Sequence, residues 1–495
     1  MRNRKNIILE KIKVEDYAAE GKSLARVNGK VVFIEKVVPG DIVDVKLFKN
    51  KSDWAEGYPV HFHEYSKERV APFCPHFGVC GGCQWQMLPY NKQLEYKQKQ
   101  VEENLKRIGR IDADTIELPK VLPIIGAEQT KYYRNKLEYT FSTREFLPDE
   151  EFNKNKTEMS KGEPGAPMVP TIRDREGAGA LGFHAKGVFD KVIDIKTCFL
   201  QEEPTNAVRL AIKEFAITND YPFYDIKNHT GFLRTIQMRI CTTGEVMVNV
   251  VFADDDKKKR NNLLDFILKK FPGITSLLYT INRKWNDSLN DLEPVSYFGK
   301  GYVIEKMLDG DNEQFQFKIG PTSFFQTNTR QGEKLYRVAK EFAELKGDEI
   351  VYDLYCGTGS IGIFLSSKTK KIIGVEAIEA AVNDAKENAA LNNLSLRSEY
   401  YAGDVINICN GEFFLKHGKP DVILTDPPRA GMHAHLVKKI LDIAAPIVVY
   451  VSCNPATQAR DLNMLKEKYR VTQIQPVDMF PHTHHIENVV QLRLK

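Results

Sequence analysis

Val351-Tyr-Asp-Leu-Tyr-Cys-Gly-Thr-Gly-Ser-Ile-Gly362 is the stretch whose reading decides the fold. Its apolar start predicts a buried strand over 349–355, which stops at a glycine turn. Gly357, Gly359 and Gly362 fit the Gly-x-Gly-x-x-Gly pattern, and Glu376 follows at the end of the next predicted strand, about 20 residues on. In this pattern a tight strand-to-helix turn lets the backbone approach a ligand closely, and the carboxylate accepts two ribose hydroxyls. A plain glycine turn is the simpler alternative.

Working outward, a regular alternation surrounds this loop. A helix over 331–345 precedes it, and strands recur near 371–376, 398–401, 421–425 and 446–452 with helical stretches between them. Two more strands, 470–477 and 488–494, are joined by a short loop and so form an antiparallel pair. The expected fold is α/β: a C-terminal seven-stranded doubly wound, Rossmann-like domain over 331–495. Upstream, residues 1–63 alternate in short strand-like runs with Asn28-Gly29 and Pro39-Gly40 as turns. These features predict a small β-barrel of the oligonucleotide-binding type, although any small β module fits the pattern. Residues 64–330 form a mixed α+β central domain with a Lys-rich helix over 91–108. Its apolar stripe reads as Leu94, Val101, Leu105 and Ile108. The segment 145–180, rich in Glu, Lys, Pro and Gly, reads as a surface insertion or mobile loop.

At 495 residues the chain is long enough for about three domains. No apolar stretch approaches the roughly 20 residues that span a bilayer, and no signal-type apolar core follows the basic start. The chain therefore reads as cytoplasmic, with no membrane contact. A net charge of +4 neither demands nor excludes nucleic acid. Nothing in the sequence requires a protein partner or more than a monomer. The eight cysteines are too few for a disulfide scaffold in a chain this long, yet Cys74, Cys80 and Cys83 fall within ten residues, a spacing that points to ligation.

Nicotinamide and S-adenosylmethionine enzymes share the glycine-loop geometry, and two later motifs separate them. Asp404, in Ala402-Gly-Asp404, follows the third strand, where a carboxylate reaches an adenine edge. Asp421-Val-Ile-Leu-Thr-Asp426-Pro-Pro-Arg429 ends the fourth. Two successive prolines force a rigid extended turn that holds Asp426 at the sheet edge. Such a wall suits an enzyme acting on a planar base and has no purpose in hydride transfer. The fifth strand runs into Val448-Val-Tyr-Val-Ser-Cys-Asn-Pro455, so Cys453 sits at a strand's carboxyl end, where open α/β sheets place their ligands. Taken alone, this cysteine is either a nucleophile or an apolar filler.

With Asp426-Pro-Pro-Arg429 and Val451-Ser-Cys-Asn-Pro455 together, the chain resembles the RNA uracil-5-methyltransferase family, and most closely its 23S ribosomal RNA branch. The resemblance covers nearly the whole chain and includes Tyr133-Arg-Asn-Lys136 and Ser323-Phe-Phe-Gln326. It implies that residues 1–63 are a TRAM-like RNA-binding barrel. It also implies that Gln326, Tyr355, Glu376 and Asp426 bind S-adenosylmethionine, beside Gly357 of the glycine loop and Asp404 after the third strand, that Cys453 is the nucleophile and that Glu487 is the base. Cys74, Cys80 and Cys83, with distant Cys198, resemble that branch's ligands for a four-iron, four-sulfur (4Fe-4S) cluster; a Cys₄ zinc site has the same ligand set. The implied partner is RNA, either 23S rRNA or tRNA. The segment between Cys83 and Cys198 is longer than the resemblance leads one to expect.

The chemistry needs these residue types. Carbon 5 of uracil is a poor nucleophile, and a thiolate adding at carbon 6 turns it into an enolate. A carboxylate must then remove the carbon 5 proton. His482, His484 and His485 invite a zinc reading, but no Cys or acidic residue has ligand spacing with all three, so a loop or RNA-facing role is preferred. Lys131, Tyr132, Tyr133, Arg134 and Lys136 interleave aromatic and basic groups as single-strand binding favours. Cys241, Cys356 and Cys409 read as packing residues. A nicotinamide or flavin oxidoreductase and a non-catalytic RNA-binding protein remain the competing readings.

Overall fold

The computed structural model describes residues 7–109, 119–147, 174–310 and 313–495. The core of the 145–180 segment lies outside these residues. Its two flanks are strand: Lys136–Phe146 pairs antiparallel with Asp174–His184.

Near the amino end, six strands form one sheet in the order Ile8–Lys13, Ile42–Asn50, Trp54–Glu64, Lys30–Ile34, Ser23–Val27, Asp16–Tyr17. Alternation puts Ala25, Val32, Ile34, Val43, Val45 and Ala55 on one side, and they share a single small core. Register breaks in the pairing of Ile42–Asn50 with Trp54–Glu64 bend these long strands around that core.

The central region is a second seven-stranded sheet, in which Lys136–Phe146 lies between Leu233–Ile240 and Asp174–His184. Helices Thr205–Thr218 and Lys257–Lys270 bury Val208, Ile212, Leu263, Leu264 and Ile267 in its core.

The C-terminal sheet is the expected doubly wound one. Its strands lie in the order Ser398–Ala402, Lys371–Glu376, Ile350–Leu354, Val422–Thr425, Ile447–Ser452, Glu487–Leu494, Tyr469–Val477. The first five are parallel, and the inner ones read as nearly continuous apolar runs because both faces are covered, whereas edge strand Ser398–Ala402 alternates. The last strand of the chain inserts between the fifth and sixth, antiparallel to both. This insertion sets the loop 478–486 against the fifth strand's carboxyl end.

Helix Tyr90–Arg107 packs on this sheet, with Val101 and Leu105 in the same core as Tyr352, Ile423 and Tyr450. Its buried stripe is Gln93, Lys97, Val101 and Leu105, not the stripe through Leu94 and Ile108 that hydrophobicity predicts. Ile108 is exposed. The helix turns two polar side chains inward because each finds partners there. Lys97 Nζ donates to Asp478 Oδ1 at 2.6 Å, and Gln93 bonds the carbonyls of Trp85 and Leu88. Downstream, Leu122 and Ile125 bond the main chain at Ile474 and Pro476, which covers the outer edge of strand Tyr469–Val477.

Candidate active site

Strand order alone sorts the site residues along one sheet edge. Reading across the carboxyl ends of the parallel strands, Asp404 follows the third strand, Glu376 ends the second, and Tyr355 and Gly357 follow the first. Asp426 then follows the fourth and Cys453 the fifth. Ser452 lies opposite Asn488 in the antiparallel ladder, so Cys453 and Glu487 come next on neighbouring strands. Adjacent strands stand about 4.8 Å apart. The sequence-predicted catalytic and cofactor residues therefore line one sheet edge, apart from Gln326, which a different element supplies.

The glycine loop has the geometry its pattern predicts. Tyr355 takes a left-handed backbone, φ 63°, which is strained for a residue with a side chain and marks the turn. A Cβ on Gly362 would meet the Asp353 carboxylate at 2.8 Å, so glycine is required for the helix Ser360–Leu365 to sit this close to the strand. Gly362 N–H donates to Asp353 Oδ2 at 3.0 Å. Burial pushes the Asp353 carboxyl up to about 8, against the opposing pull of that bond. Glu376 accepts from Gly357 N–H at 3.1 Å and from Ile378 N–H at 3.0 Å, which fixes its carboxylate against the loop. Asp404 caps the short helix Val405–Ile408 through Ile406 N–H and stays exposed.

Gln326 is buried and is held by the Tyr133–Lys136 motif. Asn135 Nδ2 donates to the Gln326 carbonyl and to Thr329 Oγ1, each at 2.9 Å. The same motif donates from Tyr133 Oη to the Pro481 carbonyl, and Arg134 stacks over Phe480. Tyr133 thus joins the central domain to the C-terminal one, whereas the sequence reading placed it and Lys136 on a single-strand binding surface. Tyr133 is buried, and Lys136 reaches the Pro321 carbonyl.

Cys453 lies in a loop pinned at both ends. Asn454 caps helix Pro455–Leu465, with Pro455 in the first turn, where its missing N–H costs nothing. Asn454 Nδ2 and Thr457 Oγ1 both donate to the Arg429 carbonyl, at 3.0 and 3.2 Å, which clamps the cysteine loop to the prolyl turn. Burial pushes the thiol up to about 11, Glu487 and Asp426 push the same way, and Arg429 pulls down. Glu487 is buried and lies well above the usual carboxylate range, through burial and then the Asp426 charge, again opposed by Arg429. Burial likewise raises Asp426. The edge therefore holds a thiol, two carboxyl groups that disfavour joint ionisation and one cation, the arrangement needed for addition of sulfur to a ring and removal of a ring proton. Arg429 was legible only as part of its motif, and its place beside the thiol arises from the fold.

Cys74, Cys80, Cys83 and Cys198 line one cavity together with Phe77, Phe183, Ile195 and Leu200. All four are free thiols, and burial raises each of them. Gly82 N–H points at Cys80 Sγ, 3.4 Å away. Among the described residues, no three His, Cys, Asp or Glu side chains converge as ligands of a single metal ion. Cys241, Cys356 and Cys409 are buried in apolar cores, in keeping with packing roles.

The three histidines of loop 478–486 divide. His482 is buried, and its carbonyl accepts from the N–H groups of Gln84 and Trp85 at 2.9 and 3.0 Å. His484 packs against Gly21, in the turn Ala19–Gly21 between two strands of the N-terminal sheet. His485 turns to Arg429. No helix among the described residues is long and apolar enough to cross a membrane.

Comparison with known proteins is consistent along the whole chain. Residues 296–495 match the family described as tRNA (uracil-5-)-methyltransferase, and residues 10–60 match the TRAM domain. An uncharacterized RNA methyltransferase of Bacteroides thetaiotaomicron is 47% identical over 97% of this chain and 100% of its own length. One from Porphyromonas gingivalis is 45% identical over 97% and 99%. Among solved structures, the Pyrococcus abyssi tRNA (uracil-54, C5)-methyltransferase in complex with S-adenosyl-L-homocysteine superposes with a TM-score of 0.71. It is 26% identical and covers 98% of this chain and 100% of that one.

Proposed function

The chain belongs to the S-adenosylmethionine-dependent RNA uracil-5-methyltransferases with an N-terminal TRAM domain, and from that membership we propose a residue-level mechanism and a substrate. The reading rests on the placing of Cys453, Glu487, Asp426 and Arg429 at one sheet edge beside the glycine loop. In it, Cys453 loses its proton to solvent water and its sulfur bonds to carbon 6 of a uridine. The electron pair of the ring double bond moves to leave an enolate with electron density at carbon 5. Bound S-adenosylmethionine supplies a methyl group on a positive sulfur, held by Gln326, Tyr355, Gly357, Glu376, Asp404 and Asp426. Carbon 5 gains the carbon–carbon bond as the sulfonium loses its methyl. Glu487 takes the carbon 5 proton, the electron pair reforms the ring double bond, and the bond to Cys453 breaks. A buried carboxylate held above its ordinary range is a stronger base than a solvated one, which suits this step. Arg429 favours both the thiolate and the carboxylate.

The test is Cys453→Ala with radiolabelled cofactor and RNA. Turnover and the covalent RNA adduct should both vanish, and unchanged turnover would sink the mechanism. Glu487→Gln separates the steps: adduct should form and persist while product release falls at least a hundredfold, in the range that loss of a positioned base removes.

The RNA we assign is 23S rRNA, on the resemblance of the barrel and cysteine quartet to that branch. Full-length likeness to a tRNA uridine-54 enzyme favours tRNA as the second reading. Mass spectrometry of 5-methyluridine in a deletion strain separates them, since loss from tRNA with an intact rRNA pattern would reverse the assignment. The target base must leave its stack to reach Cys453.

For the quartet we propose a 4Fe-4S cluster. The four thiols line one apolar cavity, and their resemblance to the ligands of the 23S rRNA branch favours a cluster over a zinc site with the same ligand set. A cluster interposes iron and sulfide between its thiolates, and the Gly82 N–H contact to Cys80 fits the hydrogen bonding such sulfurs receive. Protein purified without air should be brown and contain iron and sulfide; a colourless zinc protein would overturn the assignment.

A further inference from the structure

We propose that His485 is a positioning residue, whose ring accepts a hydrogen bond from Arg429 and aims that guanidinium at the Cys453 loop. The inference rests on the reading of Cys453 and Glu487 as the reacting pair, and it gives a role to a side chain that no step of that mechanism uses. Arg429 Nη2 lies 3.0 Å from His485 Nδ1 and 3.3 Å from Nε2, so the guanidinium faces both ring nitrogens. Among the described residues this is the one side chain to which the guanidinium hydrogen-bonds. The Arg429 main chain is fixed separately, by the two bonds that its carbonyl accepts from Asn454 and Thr457. The backbone of Arg429 is therefore tied to the nucleophile's loop and its head group to the base's loop, two residues before Glu487.

An exposed arginine has a long flexible stem, and ordering it costs up to about 2 kcal/mol of rotamer entropy. A carboxylate partner would fix it but would cancel its charge beside the thiol. A neutral imidazole fixes the head group and leaves the charge intact. His485 suits that task. Burial, then His484, Arg429, Lys97 and Arg134, hold it down to about 3, so the ring is neutral at working pH and one of its two nitrogens is an acceptor. The ring is half-buried between the rings of His484 and Phe480, which sets its orientation. The groups that face the thiol itself are Glu487, Asp426 and Arg429, and Arg429 alone among them favours the thiolate.

The experiment reads the thiol directly. Alkylation of Cys453 by iodoacetamide, followed by mass spectrometry of its peptide across pH, needs neither RNA nor cofactor. His485→Phe keeps the ring and loses the acceptor, whereas His485→Gln keeps an acceptor. The phenylalanine variant should move half-maximal alkylation to higher pH and lower kcat roughly tenfold, as loss of a charge-assisted bond implies, with KM for RNA changed much less. The glutamine variant should recover most of both. Arg429→Ala should reproduce the shift, and adding His485→Phe to it should change nothing further. Equal behaviour of the Phe and Gln variants, or full additivity with Arg429→Ala, would overturn the proposal. A Cys453→Ala enzyme that still methylates would instead overturn the catalytic reading and leave the alkylation result standing.

Discussion

Three carboxyl groups raised by burial decide how this site responds to pH. Glu487 and Asp426 are each raised by burial, and the Asp426 charge raises Glu487 further. As a base, Glu487 must be ionised, so kcat should fall on the acidic side well above the ordinary glutamate range of about 4.3. Asp426→Asn, assayed at saturating cofactor, removes the like charge and should move that limb to lower pH; an unmoved limb would show that the two groups do not couple in catalysis. Asp353 gives the matching stability statement. Its folded value of about 8 lies above the unfolded one, so the folded state binds the extra proton. The stability it contributes is complete below about pH 3.9, declines from there and is lost as pH passes through about 8. Asp353→Asn keeps an oxygen for Gly362 N–H and removes the titration, so its melting temperature should fall less steeply than the wild type's between pH 4 and 8. Calorimetric scans at several pH values check this, and parallel slopes would refute it.

Helix Tyr90–Arg107 carries the lesson at the scale of elements. Its 3.6-residue period is readable in sequence, but its orientation is not, because hydrophobicity selects Leu94 and Ile108 while the fold buries Gln93 and Lys97. A lysine becomes a core residue only when its partner arrives from elsewhere, and Asp478 comes from 381 residues away. Breaking a buried pair leaves an uncompensated charge and costs about 3–5 kcal/mol. Lys97→Ala should therefore destabilise by about that much in denaturant titration, while Lys97→Met with Asp478→Asn should cost less than the two single changes summed. Full additivity would mean that the pair does not couple. The same distinction governs what else was legible. The parallel strands, the glycine loop and the closing antiparallel pair were readable because local pattern specifies them. The Tyr133–Lys136 motif was readable as a pattern but not as a joint between domains, since its partners Gln326, Thr329 and Pro481 are remote in sequence. Cys453 and Glu487 were recognisable as chemistry. That they are adjacent depends on the last strand inserting beside the fifth, which periodicity does not reveal.

At the scale of the whole molecule, loop 478–486 is where every part of the chain meets. Asp478 receives Lys97 and Tyr90 from the long helix, and the Met479 carbonyl receives Asn328 from the start of helix Thr329–Ala343. Phe480 and Pro481 meet the central domain through Arg134 and Tyr133. His482 accepts from Gln84 and Trp85, immediately after Cys83, and His484 fills the space beside Gly21 of the barrel. Glu487 follows directly. A disturbance of the cysteine loop therefore has a short covalent and hydrogen-bonded route to the base, and the route has a direction: two main-chain donors of loop 73–88 hold the carbonyl of a residue with a left-handed backbone, φ 64°. If those donors leave, His482 keeps its bonds to Gln93 but loses two of the bonds that support that conformation. Cys83→Ser should consequently raise amide hydrogen exchange in two places, the cysteine loop itself and 478–486. Strand Ile350–Leu354, whose pairing involves neither, should keep its protection. Increased exchange confined to residues 73–88 would show that the cysteine cavity is structurally separate from the active edge. Increased exchange in both loops, with Cys453 alkylation changed in the same variant, would establish that the cavity's occupancy is felt at the reacting thiol.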